Sequence, residues 1–150
     1  MKPRFLFIPL IAAVLAVPSL AFAGLGEDVS SIQADQMHMK GTARVLRSEL
    51  NYTVKEMQMP SGTLVREYVA SNGIIFGVAW NGPTMPDLHQ LMGQYTVNKS
   101  AVRTGPISHS HYELHQDDWV VHSGGHMRAY AGNSYVLHLL PQGVATEEIK

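Results

Sequence analysis

Histidine is unusually frequent for a chain of this size. Eight occur in 150 residues, and six stand between positions 109 and 138. His109, His111 and His115, with Glu113, fall at spacing two in HSHYELH. On a strand, side chains at i and i+2 point the same way, so this spacing places all four on one face. Neutral imidazole and carboxylate are good ligands for zinc, nickel or copper, and these four residues are the candidate metal ligands. The competing reading is histidines on a wetted loop, because the segment matches no HExxH-type metal motif.

Three other groups of residues invite a chemical reading. Ser123-Gly124-Gly125-His126 places a serine beside glycines, as a nucleophile in a tight turn would be. It lacks the GxSxG pattern of a strand-to-helix elbow, and a glycine hairpin turn explains it more simply. Arg66 and Glu67 are neighbours in a β-rich run, so they face opposite sides, and whichever points inward needs a partner. Asp117 or Glu67 is the expected acid for Arg128. The methionine tracts Met37-His38-Met39 and Met57-Gln58-Met59 could hold copper(I) softly, but packing is the commoner use of methionine. Trp80 and Trp119 are expected in the core or at its rim.

The elements that must position these residues follow from periodicity and turn chemistry. Ser30 as N-cap, Gln33 three residues on, and Ile32, Gln36 and Met39 predict a helix over 31–40 ended by Gly41. Residues 42–50 fit no single pattern. The runs 52–59, 63–70 and 74–80 are β-rich and separated by Pro60-Ser61-Gly62 and Ser71-Asn72-Gly73, which predicts a three-stranded antiparallel meander. After Asn81-Gly82-Pro83, Thr84 and Asp87 offer capping oxygens. Leu88, Leu91, Met92 and Tyr95 then share one helical face over about 86–97, leaving His89, Gln90 and Gln94 toward solvent. That apolar face is expected against Phe76, Val78 and Trp80.

Residues 98–118 predict a long loop with a short strand around His109–Leu114. Strands at 119–122, 126–131 and 134–140 follow, with turns at Ser123–Gly125 and Gly132-Asn133, and the tail beyond Pro141 is expected to be loose. The total is an α+β fold: an antiparallel sheet of about six strands (the 52–80 meander plus hairpins over 119–140) with two short helices packed on it.

The first 23 residues have a different character. Lys2 and Arg4 precede an apolar run from Phe5 to Val17, and Ala21-Phe22-Ala23 supplies the small residues of a signal-peptidase site. The run before Pro18 is shorter than the ~20 residues a spanning helix needs. Cleavage after Ala23 is expected, which leaves one domain over 24–150 in the periplasm or outside the cell, with no transmembrane segment. Losing Lys2 and Arg4 lowers the eleven basic residues to nine against twelve acidic, so nothing draws the remainder to nucleic acid. The chain has no cysteine, which excludes disulfides, thiolate catalysis and cysteine-ligated metals.

The blocks SIQADQMHM at 31–39, VREYVASNGIIFGVAWNGPTMPDLHQLMGQY at 65–95 and SGGHMRAYAGNSY at 123–135 together resemble a family of small exported proteobacterial proteins with no assigned function. The resemblance spans most of the chain after residue 23. It implies export and a single domain, and it implies no activity. With no paired-carboxylate, triad, phosphate-loop or cofactor pattern, the expected function is binding to a protein or envelope component rather than catalysis. Metal binding at His109–His115 is the alternative, and an unrecognised hydrolase the third.

Overall fold

A computed structural model describes residues 24–95 and 111–150. The chain forms α1 (Ile32–Met39), then strands β1 (Thr42–Ser48), β2 (Tyr52–Gln58), β3 (Leu64–Ala70) and β4 (Ile75–Gly82). The short α2 (Leu88–Met92) follows, then β5 (His111–Gln116), β6 (Trp119–His126) and β7 (Ala129–Val136). The seven strands make one antiparallel sheet in the order β1-β2-β3-β4-β7-β6-β5. The expected meander is present as β2–β3–β4, in continuous register from Tyr52↔Ala70 to Gln58↔Leu64. At the Ser71-Asn72-Gly73 turn, Asn72 Oδ1 accepts from the Ile74 amide at 3.1 Å and Gly73 takes φ 87°.

The sheet has seven strands and not about six, and the differences have identifiable causes. Residues 42–48 pair with β2 as an edge strand. Val45 and Leu46 are both exposed there and a bulge interrupts the register between Val45 and Arg47, so no alternation is visible in the sequence. Residues 111–116, expected as a short strand around His109–Leu114 at the end of a long loop, are the opposite edge. The glycines expected to turn the chain at 124, 125 and 132 do not. Ser123, Gly124 and Gly125 lie within β6, Gly132 and Asn133 lie within β7, and the chain reverses at Met127-Arg128, where Arg128 takes φ 68°. Gly132 is there for close approach: a Cβ would stand 2.3 Å from the Trp80 ring. Three expected strands are thus one long hairpin.

The first helix begins with a 3-10 turn, Val29–Ser31, capped by Asp28 rather than Ser30, and Lys40 in the left-handed region ends α1. α2 has five residues, not the twelve expected. Asp87 alone caps it, accepting from the His89 and Gln90 amides at 3.0 and 3.2 Å. Gly93 terminates it with φ 51°. Thr84 instead joins Thr63. A helix this short is held by its surroundings. Gly24 and Leu25 cross it, and the Leu25 amide donates to Leu91 O at 2.9 Å.

The sheet buries both faces. On one, α1, α2 and Leu25 cover Met57, Val65, Val78, Trp80 and Val121. On the other, the C-terminal tail covers Tyr52, Tyr68, Phe76 and Tyr135. Phe76 was expected under α2, but the register skips a residue opposite Tyr68, and the ring turns to the tail side. The tail is not loose. Ile149 is fully buried and fills the space a Cβ on Gly77 would need. Tyr52 Oη donates to Glu148 at 2.5 Å and Tyr68 Oη to Lys150 O at 2.9 Å. Burial and the Glu148 carboxylate together push the Tyr52 phenol up to about 12. Among the described residues no helix is long and apolar enough to cross a membrane.

Candidate functional site

The two-residue turn Asp117-Asp118 folds β5 back along β6, and the resulting register sets Glu113 opposite His122 and His115 opposite Val120. Glu113, His115 and His122 therefore share a face. Their ligand atoms all lie within 4.8 Å of one another. His115 Nε2 is 2.8 Å from Glu113 Oε1, and His122 Nε2 is 3.5 Å from the same oxygen. The two imidazoles meet edge to face at 5.9 Å. All three side chains are part exposed. The hydrogen bond from His115, followed by the charges of the two imidazoles, holds the Glu113 carboxyl below its ordinary range.

A network behind His122 fixes which of its nitrogens is free. Ile149 O can only accept, so the Asn133 amide donates to it through Nδ2, at 2.7 Å. That orientation turns Asn133 Oδ1 toward His122 Nδ1, 3.0 Å away. An amide oxygen only accepts, so Nδ1 carries the hydrogen. In the neutral ring the lone pair is then on Nε2 and faces the Glu113 carboxylate. Two electron-rich atoms opposed in this way call for a cation between them, either a proton or a metal. Ligands on a tetrahedral metal with arms of 2.0–2.1 Å sit about 3.3 Å apart, between the 2.8 and 3.5 Å of the two imidazole–carboxylate pairs.

Of the four residues expected to bind metal, Glu113 and His115 belong to this cluster. His111 lies on the same strand but outside it, and His109 lies outside the described residues. His122 was missed, because only the strand register brings it in. The signal was present: Glu113 stands four residues before the Asp117-Asp118 pair and His122 four after it, so a hairpin reversing there opposes them.

The other candidates have structural roles. Ser123 stands in mid-strand, paired with Tyr112 and Gly132, not at a strained elbow. Arg66 and Glu67 do face opposite sides. On the tail side, Glu56 accepts from Arg44 at 2.7 Å and Arg66 at 3.0 Å. Burial alone would raise the Glu56 pKa, but the two guanidiniums outweigh it and hold it low. On the helix side, the partner of Glu67 is Asp35 of α1, and not Arg128. Both carboxyls are buried, and Asp35 Oδ1 accepts from Gln90 Nε2 at 2.7 Å. Gln90 is therefore a tie between α1 and α2 and not a solvent-facing residue. Met39 and Met57 are core residues. Trp119 donates to Ser134 at 2.6 Å, whereas the buried Trp80 Nε1 has no partner among the described residues.

Compared with known proteins, residues 21–149 match a family described as protein of unknown function (DUF2844). No curated protein and no solved structure matches the chain.

Proposed function

We propose that this chain, which belongs to the DUF2844 family, is an exported binding protein that holds a divalent transition metal on Glu113, His115 and His122. The observation that carries the reading is the convergence of two imidazole nitrogens and a carboxylate oxygen within 4.8 Å, with the lone pair of one imidazole already directed by Asn133. This donor set suits zinc, nickel or copper(II), with copper(II) bound most tightly. Metal needs neutral imidazole, so affinity falls on acidification as protons compete for the same nitrogens. Export is supported by the basic, apolar and small-residue order of residues 1–23 and by the resemblance to exported proteobacterial proteins. N-terminal sequencing of protein from cells is expected to begin at Gly24, and an intact Met1 overturns it.

Calorimetric titration with zinc, nickel and copper(II) chlorides tests the metal reading. His122→Ala and His115→Ala should each weaken binding by at least about tenfold, and Asn133→Ala by about tenfold through the lost orientation of His122. His111→Ala should leave it within about twofold. Equal affinity in the unaltered protein and a His115→Ala/His122→Ala double variant refutes the site. A second reading, binding to a protein or envelope component, is favoured by β1, an edge strand beside exposed Val45, Leu46 and Leu50. An unpaired strand edge with apolar side chains is a template for another chain. If that edge is used, Val45→Lys with Leu50→Lys should abolish capture of the partner from envelope extract.

A further inference from the structure

A cleft of about 570 Å³ opens beside the metal ligands, and His122 is a wall of both. The ends of β3, β4, β7 and β6 form it, with Lys150 at one side and His111 at the other. This volume is in the range of small-molecule sites. Three glycines of β6 and β7 line it, which keeps side chains out of the space.

The chemistry of the lining is one-sided. Lys150 contributes a cation, His111 and His122 two imidazoles, and Asn81 a neutral hydrogen-bonding group, while Arg66 is bonded to Glu56 and to Lys150 O and no aspartate or glutamate lines the cleft. Trp80 also lines it, with its indole in the core on the helix side of the sheet. A metal held by three protein ligands keeps at least one open position. The site thus offers a Lewis acid, the Lys150 cation and the His111 imidazole, around a space lined by no aspartate or glutamate.

We propose that the cleft binds a small carboxylate anion, one oxygen of which takes an open position on the metal held by Glu113, His115 and His122. A second carboxylate or polar group of the ligand lies toward Lys150. The inference rests on the metal reading, and the test separates the two.

The probe is succinate, a weak chelator that leaves the metal on the protein, with neutral succinamide as control. Each is titrated calorimetrically into the full chain with zinc bound and into the metal-free chain, with tryptophan fluorescence as a second readout. Succinate is expected to bind the zinc-loaded protein at least about tenfold more tightly than the metal-free protein, to change the tryptophan emission, and to outcompete succinamide. Lys150→Glu is expected to weaken succinate by about tenfold while zinc affinity stays within about twofold. Lys150 is exposed, so Lys150→Glu tests the cleft without disturbing the core. Zinc binding with no succinate enhancement, or succinate affinity indifferent to Lys150→Glu, overturns the cleft proposal and leaves the metal site standing. Failure of zinc itself to bind overturns both.

Discussion

Leu91→Ala is expected to destabilise the fold by about 2–5 kcal/mol, whereas His89→Ala, two residues away, should change stability by less than about 0.5 kcal/mol. Leu91 is fully buried, sits with Met92 in the core that also holds Val78 and Trp80, and belongs to a five-residue helix with no stability of its own. Its backbone carbonyl also anchors Leu25, so a cavity here loosens two elements together. His89 is exposed. Gln90→Ala falls between them, at about 1–3 kcal/mol, because it strips the N–H donor from a buried carboxylate oxygen of Asp35. Urea denaturation of the three variants checks the order. Equal midpoints for Leu91→Ala and the unaltered protein would mean that α2 does not hold down the helical layer.

How much of this was legible in the sequence depended on where the information lies. The β2–β3–β4 meander could be read because each strand is specified locally: β-formers flank a turn whose Asn72 and Gly73 adopt the required geometry. β1 could not, because an edge strand with a bulge owes its existence to pairing with β2 and not to its own pattern. The C-terminal hairpin was misread because a glycine in sequence does not declare whether it turns the chain or admits a neighbour. Gly132 admits the Trp80 ring, and nothing within the SGGHMRAYAGN segment says so. The same division holds at the site. Glu113 and His115 were visible by spacing two along one strand. His122 needed the β5–β6 register, and the role of Asn133 needed a third strand and the tail. The closure of the tail-side core by Ile149 depends on Gly77, 72 positions upstream.

Glu67→Gln is expected to change how stability depends on pH, with the variant gaining on the unaltered protein as pH rises. Glu67 and Asp35 are buried against each other, 32 positions apart in sequence, where α1 docks on β3. Asp35 Oδ2 and Glu67 Oε1 receive no N–H or O–H donor from any other described residue. Two ionised carboxylates would repel at this depth, so one proton is shared between them. Burial, then the hydrogen bond and negative charge of Asp35, raise Glu67 well above the ordinary carboxylate range, against a smaller pull from Lys55. Burial also raises Asp35, opposed by its bonds to Glu67 and Gln90 and by the charge of His38, while Asp87 adds to the rise. His38 and Asp87 themselves pair at 3.3 Å on the rim.

The sign follows from proton uptake. The unfolded chain releases this proton in the ordinary glutamate range, while the folded chain keeps it to higher pH. The folded state therefore binds more protons between the two values, and its stability falls as pH rises through that window. The contribution is fully present below the unfolded pKa and is lost as pH rises through the folded one. For one proton the loss is about 1.4 kcal/mol per pH unit. Glutamine has the shape of glutamic acid, donates an N–H to Asp35 and takes up no proton. The stability difference between Glu67→Gln and the unaltered protein should therefore be small at pH 4.5 and grow with pH, by up to about 1.4 kcal/mol per pH unit, until the folded-state pKa is passed. Comparing the variant with the unaltered protein cancels the groups elsewhere whose titration is common to both. Denaturation of the two proteins at pH 4.5, 6 and 7.5 measures the slope. A difference that does not vary with pH would mean that no proton is shared, and that α1 is held to the sheet by its apolar contacts and by the Asp35–Gln90 and His38–Asp87 ties alone.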